Sequence, residues 1–567
     1  MQGFSGCGRI SSGFLAAPVR FGFPITTPQK DVSLTPRGRE TIVDAALPRT
    51  AGLKPREYVI EEYTRTVCPS CFAERTRRAD EAHVFKDGML VTHDGSVWLR
   101  RFCAQHGETE SLYEEDAEIW RARKGWAAPT LSVTPDRSRN YLGFPEGYRH
   151  GLPASHGQHT CILLLNITER CNYGCTTCYA SARSPGTPVP PRERPAVDEI
   201  LHTVQTVIAR EGGKLGVLML SGGEPTVRQD LPEILLRLFD LNITRVMINT
   251  NGRRIARDDR FLDFLREHRR RIEIYLQFDG LRPETYLALR SDDVAREKLA
   301  TLRRLDEAGV YLTLVSTVRR GVNEDELGDI VRLGLDTPRC AGLALQPMFG
   351  SGRVPAYDPR SRATPTGVLR VLGPQTRGLV RSSDFIPLPC SHRDCCDITY
   401  FLKTADGTWR SLPELIGQEE LRRWIGLVAN TITFDAVGSA VTEMLRSGAF
   451  QRVFSEQLPV GALDLASDIA RMCACVPGVP QLLGGLRALV GGQDGARERL
   501  AERTFRITVK MFMDAHTFHE ARIRQCCVHT GTFEDDPRRY SFCWRWLFAD
   551  ASDGPEVEAV PAGAVAE

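Results

Sequence analysis

Three cysteines lie within nine residues in the stretch CNYGCTTCY. A structural zinc site takes four protein ligands, and no fourth cysteine follows nearby. A cubane iron–sulfur cluster also takes four ligands, usually thiolates, so three protein thiolates would leave one iron open to an outside ligand. The loop therefore predicts a cluster with one working position, and its catalytic ligands are Cys171, Cys175 and Cys178.

The elements around this loop alternate between short apolar runs and helical patterns from residue 155 to 350. The strand candidates are CILLLNIT, LGVLML, TRVMINT, RIEIYLQF, VYLTLVSTV and GLALQPM. The helix candidates are 197–211, 230–240, 259–269, 294–308 and 324–335. This alternation predicts an α/β fold with a parallel sheet, and six repeats fit a partial (βα)6 TIM-barrel-like core better than a full barrel of about 250 residues.

Polar residues follow the strands, at the edge where parallel sheets bind ligands. SGGEP follows the second strand, NTNG ends the third and QFDG the fourth, and STV ends the fifth. Glycines permit close backbone approach, and Glu224 can neutralise an ammonium group. We expect cofactor binding by Gly222, Gly223, Glu224, Pro225, Asn251, Gln277, Asp279 and Ser316.

The CxxxCxxC loop, the aromatic Tyr179 after it and the GGEP motif together resemble the radical S-adenosylmethionine (SAM) superfamily. The resemblance implies that the open iron chelates the amino and carboxylate groups of SAM, that GGEP contacts the amino group, and that Tyr179 packs by the adenine. It also implies that the reduced cluster cleaves SAM to a 5′-deoxyadenosyl radical. A zinc site or a chance cysteine cluster is the alternative, but it leaves the polar strand ends unexplained.

A second group of potential ligands lies in a zone from 55 to 125, where alternating runs and two Asp-Gly pairs predict hairpins. Its members are Cys68, Cys71, Cys103 and His106. Three thiolates and an imidazole suit one tetrahedral zinc ion or a rubredoxin-like iron. The sequence therefore predicts a small β-rich domain around a closed mononuclear site, with iron and zinc both open.

A third group of cysteines lies in a zone from 380 to 550, with a helical insertion at 412–505. Its members are Cys390, Cys395, Cys396, Cys526, Cys527 and Cys543. Two more cubanes would need eight ligands, and the rest could come from His392, His529, Cys340 or a bound small molecule. We expect purely structural roles for the remaining cysteines, Cys7, Cys161, Cys473 and Cys475.

Taken in order, these zones with DFIPLPCSHRDCC, FMDAHTF, RQCCVH and FCW resemble a radical SAM subfamily that contains archaeal tetraether lipid synthases and methanogen enzymes that methylate a dihydropterin. The resemblance implies three [4Fe–4S] clusters, two of them auxiliary and held by the C-terminal cysteines, together with SAM and one mononuclear rubredoxin-like metal. It also implies formation of a C–C bond at an unreactive carbon.

Four functions remain open on the sequence. The first expectation is a lipid synthase joining alkyl chains, since residues 421–454 are apolar enough to line an acyl tunnel, although a helical pair covering the sheet is the simpler interpretation. The alternatives are a C-methylase of a pterin or other small molecule, a peptide-modifying radical SAM enzyme, and an iron–sulfur electron-transfer protein without enzymatic activity.

The composition restricts partners and location. The net charge is +2 over 567 residues, which gives no electrostatic case for a nucleic-acid partner. No apolar run approaches the ~18 residues of a membrane span. Clustered cysteines without a signal peptide favour a cytoplasmic protein, with peripheral contact at the inner membrane face if the substrate is a lipid. We expect a reductant such as ferredoxin or flavodoxin. We also expect a disordered or loosely packed extension at 1–54 and a disordered tail at 552–567.

Overall fold

The described residues form two β-sheets, a small antiparallel one and a large mixed one. The computed structural model describes residues 41–43, 57–75, 83–126, 133–136, 140–187, 194–404, 406–418 and 502–548. The expectations for the segment 421–454, for most of the insertion at 412–505, for the tail at 552–567 and for nearly all of 1–54 lie outside these residues.

Strands and helices are numbered here in chain order among the described residues. The strands are β1 Thr41–Val43, β2 Glu57–Val67, β3 Phe85–His93, β4 Ser96–Cys103, β5 Gly107–Glu114, β6 Ile162–Asn166, β7 Leu215–Ser221, β8 Ile243–Thr250, β9 Ile272–Gln277, β10 Leu312–Val318, β11 Cys340–Pro347, β12 Ile386–Pro387, β13 Cys396–Lys403, β14 Trp409–Ser411, β15 Thr504–Lys510, β16 Val528–Gly531 and β17 Arg539–Ser541. The helices are α1 Pro69–Glu74, α2 Ala117–Ala122, α3 Val197–Arg210, α4 Leu231–Phe239, α5 Arg253–Arg257, α6 Asp259–Glu267, α7 Pro283–Arg290, α8 Ala295–Glu307, α9 Leu327–Asp336, α10 Pro365–Gln375, α11 Leu412–Ile416, α12 Glu520–Arg524 and α13 Phe542–Leu547.

The small sheet contains β1 to β5 in chain order, and this confirms the predicted β-rich N-terminal domain. Asp94 and Gly95 make the turn between β3 and β4 with φ angles of 51° and 75°, as a tight hairpin turn requires. The other Asp-Gly pair was wrongly predicted as a turn. Its Gly88 lies inside β3, where a Cβ would come 2.7 Å from Cγ2 of Thr66, so the glycine serves close packing.

The large sheet has the six predicted strands, β6 to β11, as parallel neighbours in chain order. Two strands from the C-terminal region extend this parallel set: β15 pairs with β11, and β16 pairs with β6. Antiparallel strands follow at both edges, with β12 and β17 at the two ends of the described sheet. The core is therefore a partial barrel that the cysteine-rich C-terminal region continues on both sides.

The helices cover one face of this sheet. In β6, Leu163 and Leu165 pack into the layer between sheet and helices, whereas Ile162 and Leu164 face the inner side. The predicted helices are present as α3, α4, α6, α8 and α9, while the short α5 and α7 were not predicted. None of the described helices is both long enough and apolar enough to cross a membrane.

Candidate active site and metal centres

The three-cysteine loop follows β6 directly, and its thiols are half-buried. A hydrogen-bond donor or a positive charge faces each sulfur, as suits thiolates that ligate a cluster. The backbone N–H of Tyr173 donates to Cys171 (3.4 Å) and that of Ala182 donates to Cys178 (3.3 Å), while the charged guanidinium of Arg290 interacts electrostatically with Cys175. The donor set fits a cubane with one iron left open.

Burial also determines the protonation of these thiols. It raises the pKa of Cys171 to about 12, with a further contribution from the nearby carboxylate of Glu224, and it raises the pKa of Cys178. Without a metal these two thiols are protonated at neutral pH. Binding iron must therefore release protons, since the ligands of a cluster are thiolates. When bound, the reduced cluster would supply the electron that cleaves SAM.

The glycines of the GGEP motif hold the cysteine loop in place. The N–H of Gly223 donates to the carbonyl of Thr168 and that of Glu224 to the carbonyl of Arg170, both at 2.8 Å. A Cβ at Gly222, whose φ is 129°, would lie 2.2 Å from the Thr168 carbonyl, and one at Gly223 would lie 2.1 Å from that of Arg170. No side chain fits either position, so both glycines are required for the two motifs to meet.

The carboxylate of Glu224 is buried and held by four donors. They are the N–H and hydroxyl of Thr226 (3.0 and 2.7 Å), the hydroxyl of Thr250 (2.7 Å) and the N–H of Asn251 (2.7 Å). Pro225 begins the short helical turn that presents Thr226. The carboxylate therefore fixes the strand ends next to the cluster loop, and its contact with an ammonium group stays a prediction.

A band of polar side chains lies on the inner face of the sheet near these strand ends. Asn249 donates to the hydroxyl of Ser221, and Gln277 donates to the amide oxygen of Asn249, both at 3.0 Å. Beside them, the hydroxyl of Tyr275 accepts from Gln346 at 3.1 Å and from the ammonium of Lys510 at 3.4 Å. This surface offers amide, hydroxyl and ammonium groups to a ligand.

Two further asparagines border the same band. The amide oxygen of Asn166, at the end of β6, is buried without a hydrogen-bond partner. Asn251 donates to the amide oxygen of Asn172 in the cysteine loop at 2.7 Å, so it is placed beside the cluster site. Buried polar atoms normally have a partner, and an unpaired one next to a polar surface indicates room for a ligand or water.

Asp279 and Ser316, both predicted to bind cofactor, lie behind this band. The carboxylate of Asp279 is fully buried and bound by Arg290 and by the N–H of Thr317 (2.9 Å). The hydroxyl of Ser316 faces the carbonyl of Asp279 at 3.4 Å. Asp279 therefore acts on the cluster site through Arg290.

Tyr179 packs against aromatic rings of the barrel and of the C-terminal region. Its ring centroid is 6.0 Å from that of Phe349, 5.6 Å from Phe542 and 5.2 Å from Trp546. Burial raises the pKa of its hydroxyl to about 12, although the neighbouring Ser221 lowers it in part. The aromatic residue after the third cysteine therefore connects the cluster loop to α13, and its packing against adenine stays a prediction.

The N-terminal ligand group is assembled as a mononuclear site. The Nδ1 atom of His106 lies 3.5, 3.4 and 3.6 Å from the sulfurs of Cys68, Cys71 and Cys103, and the last two sulfurs are 3.6 Å apart. Tetrahedral zinc with bonds of about 2.3 Å to sulfur and 2.0–2.1 Å to nitrogen separates its ligand atoms by about 3.6–3.8 Å. Glu74 binds the other ring nitrogen of His106 at 3.0 Å, as a carboxylate often does for a metal-binding histidine.

Two of the C-terminal cysteines lie next to Cys161, a residue that the sequence did not predict as a ligand. The sulfurs of Cys161, Cys390 and Cys527 lie within 4.8 Å of one another and are buried. Because β16 pairs in parallel with β6, Cys527 lies beside Cys161. The N–H of Cys161 donates to the carbonyl of Cys527 at 3.0 Å. Cys161, which was expected to be structural, is therefore also a potential metal ligand. No spacing in the sequence indicates it, since strand pairing creates the contact.

The remaining thiols of this region lie close by. Burial raises the pKa of Cys526 well above its ordinary value, and Cys543, Cys527 and Cys395 raise it further. Arg522 donates to Cys395 at 3.4 Å, and the N–H of Met513 donates to Cys543 at 3.3 Å. Thiols crowded in this way favour a bound cationic metal group.

Of the extra ligands considered, two are engaged elsewhere. Cys340 is buried in β11 and donates to the carbonyl of Gly342 at 3.4 Å. His529 contacts Thr160 (3.0 Å) and His156 (3.1 Å).

Cys396, one of the six cysteines predicted to hold the auxiliary clusters, is buried as well. Burial raises the pKa of its thiol to about 12, and its sulfur lies 3.6 Å from the carbonyl of Asp397.

This fold agrees with comparisons to known proteins. Residues 165–334 match the radical SAM superfamily, and residues 60–115 match the HMPTM N-terminal zinc ribbon domain. The chain therefore contains a radical SAM domain at 165–334 and a zinc ribbon at 60–115, and a radical SAM domain implies a [4Fe–4S] cluster and SAM.

Individual relatives differ in how much of the chain they share. The 7,8-dihydro-6-hydroxymethylpterin dimethyltransferase of Methanocaldococcus jannaschii is 26% identical over 85% of this chain and 93% of its own length. A probable GTP 3′,8-cyclase of Methanothermobacter thermautotrophicus is 30% identical, but over 31% of this chain and 54% of its own. A solved radical SAM methyltransferase from Sphaerobacter thermophilus is 16% identical over 50% of this chain and 72% of its own, at a TM-score of 0.28, too low to bear on function.

Proposed function

We propose that this enzyme is a radical SAM C-methyltransferase whose substrate is a reduced pterin. The observation that carries the proposal is the polar band on the inner face of the sheet, where Asn249, Gln277, Tyr275, Gln346 and Lys510 lie near the cluster loop. A pterin presents ring N–H donors, nitrogen acceptors and a carbonyl, which amide side chains match because they both donate and accept.

The relative from Methanocaldococcus jannaschii supports the same substrate class, because the similarity runs through most of both chains. The lipid synthase expectation is less well supported. An alkyl chain at the cluster would need an apolar lining, whereas the described strand ends carry amides, a phenol and an ammonium group. The apolar segment 421–454, on which the lipid expectation depended, lies outside the described residues.

We further propose that the C-terminal cysteines, with Cys161 added, hold two auxiliary [4Fe–4S] clusters. Seven thiols come from three separate segments, and the closest three have the burial and mutual contact expected of ligands. Cys161 precedes β6 and the SAM-cluster loop follows it. The five residues of this strand, which separate Cys161 from the SAM-cluster loop along the chain, span about 17 Å. A ferredoxin or flavodoxin would supply the electrons from outside.

The test is an anaerobic assay of the purified, iron-loaded enzyme with SAM, dithionite and 7,8-dihydro-6-hydroxymethylpterin. SAM that yields 5′-deoxyadenosine keeps its methyl group on methionine, so the methyl donor is supplied in two parallel reactions, as excess SAM or as a methylene-carrying reduced folate. We expect 5′-deoxyadenosine together with a methylated pterin by mass spectrometry. Cys175→Ala should lose both products, while the matched variant Cys340→Ala, which alters a cysteine outside all sites, should keep both.

Each other outcome contradicts a different part of the proposal. Absence of 5′-deoxyadenosine from the intact enzyme would favour an electron-transfer protein. Formation of 5′-deoxyadenosine without methylated pterin would refute the substrate. Coupled alkyl chains in a parallel reaction with archaeal lipids would restore the lipid synthase, and a modified peptide would favour the peptide-modifying class.

A further inference from the structure

A fourth group of potential ligands lies apart from the three cysteine sites. It consists of Glu62 in β2, His392 in the segment between β12 and β13, and His519 just before α12. One ligand atom from each residue lies within 4.8 Å of the others. The zinc-ribbon sheet supplies one member and two distant C-terminal segments supply the others, so only the tertiary structure brings them together.

His519 is the least satisfied member of the group. Its side chain is 1% exposed, and neither ring nitrogen has a hydrogen-bond partner. Its Nε2 atom lies 3.3 Å from Oε1 of Glu62 but without hydrogen-bonding geometry. A buried polar atom without a partner destabilises the fold, because it has lost its hydrogen bonds to water. A metal ion between the imidazole and the carboxylate would remove this cost.

The other two members can complete such a site. Arg393 binds Oε2 of Glu62 and leaves Oε1 directed at His519. The ring of His392 has its centroid 5.3 Å from that of His519. Oδ2 of Asp394 lies 3.8 Å from Nδ1 of His392, so a proton on Nδ1 would face this carboxylate and leave Nε2 for a metal. That tautomer gives up the contact of Nδ1 with the N–H of Asp394 at 3.3 Å.

Asp394 is itself fixed by two hydrogen bonds. It accepts from the hydroxyl of Tyr113 at 3.1 Å and from the indole N–H of Trp120 at 3.0 Å, both from the N-terminal part of the chain. Its charge and that of Glu62 offset the neighbouring guanidinium of Arg393 and attract a cation to the group.

We propose that Glu62, His392 and His519 bind a divalent transition-metal ion, zinc or ferrous iron, that connects the zinc ribbon to the C-terminal region. Two imidazoles and one carboxylate are a ligand set that both metals use. The ion is distinct from the ribbon metal and from the iron–sulfur clusters, since none of its three ligands is a cysteine.

The test measures zinc uptake by the anaerobic, cluster-loaded enzyme after treatment with a chelator, using isothermal titration calorimetry. We expect Glu62→Gln and His519→Gln each to bind one equivalent less than the intact enzyme. His516→Gln, which changes a histidine three residues away and outside the group, should bind the full amount. If His519→Gln does not fold, Glu62→Gln decides the question, because it keeps the shape of the side chain.

The coordination sphere provides a second readout. Cobalt bound at the proposed site should show nitrogen and oxygen ligands without sulfur in X-ray absorption at the cobalt edge, measured as the difference between the intact enzyme and Glu62→Gln. Equal uptake by the intact enzyme and the variants, or sulfur among the ligands in the difference spectrum, would overturn the proposal.

Discussion

Arg290 and Asp279 form a buried, two-point ion pair, with 2.6 Å between Nε and Oδ2 and 2.7 Å between Nη2 and Oδ1. The same guanidinium interacts electrostatically with Cys175, the middle ligand of the SAM-cluster loop. Arg290 therefore places a positive charge at one thiolate, and Asp279 fixes the position of that charge.

Replacing the pair by neutral amides, Arg290→Gln with Asp279→Asn, should make the reduction potential of the SAM cluster more negative. The reduced cluster carries the extra negative charge and loses a cationic donor. If the cation stabilises the reduced cluster over the oxidised one by about 1.4 kcal/mol, its loss lowers the one-electron potential by about 60 mV. Potentiometric titration followed by electron paramagnetic resonance measures the shift. An unchanged potential, as expected for the exposed control Arg282→Gln, would contradict the role of Arg290.

Gly223→Ala should prevent loading of the SAM cluster. The new Cβ would clash with the carbonyl of Arg170 and displace the loop that presents the cysteines. Iron analysis should show a loss of about four irons per chain. Gly174→Ala is the matched control in the same loop, because the nearest atom to its Cβ is 3.7 Å away. Full iron content in Gly223→Ala would show that the motif does not position the loop.

Cys161→Ala should behave like Cys527→Ala, since the two sulfurs lie in one buried group. We expect both variants to lose iron from an auxiliary site and to lose the methylated product, while some cleavage of SAM remains. Iron content and 5′-deoxyadenosine report these effects separately. If Cys161→Ala retains as much iron as the control Cys340→Ala, Cys161 is not a cluster ligand and has a structural role.

Asp514 connects the C-terminal region to the segment after β11. Its carboxylate accepts from the hydroxyl of Tyr357 at 2.5 Å and the N–H of Gly350 at 2.8 Å, and it pairs with Arg362 at 3.0 Å. Asp514→Asn should lower the free energy of unfolding by about 3–5 kcal/mol, because it leaves a buried guanidinium without its partner. The control Asp325→Asn, at an exposed pair, should change it by less than about 1 kcal/mol.

The same carboxylate predicts a direction for acid sensitivity. Burial alone would raise the pKa of Asp514, but Arg362 and His516 outweigh it and hold the pKa below its usual range. A depressed pKa stabilises the fold above the unfolded value of about 4, and this contribution is lost as the pH falls below that value. The melting temperature of the intact enzyme should therefore fall more steeply than that of Asp514→Asn between about pH 5 and pH 3. Parallel profiles would refute this assignment.

The local features of the active site follow from the sequence because each depends on a few neighbouring residues. The spacing of Cys171, Cys175 and Cys178 specifies an iron–sulfur loop, and apolar runs alternating with helical patterns specify the parallel sheet. The CPxC and CxxH pairs likewise lie at the ends of hairpin strands, where short turns bring ligands together. The zinc ribbon and the SAM-cluster loop were therefore predictable from the sequence.

The tertiary structure decided the contacts that join distant segments. Arg290 lies on α7, which has one of the weaker patterns of apolar residues, and its pairing with Asp279 and Cys175 depends on how that helix meets β9. Cys161 reaches Cys527 only because β16 pairs with β6 across more than 350 intervening residues. Spacing along a chain records which ligands are near each other in one loop. It carries no information on which strands become neighbours, since that depends on burial of the whole sheet.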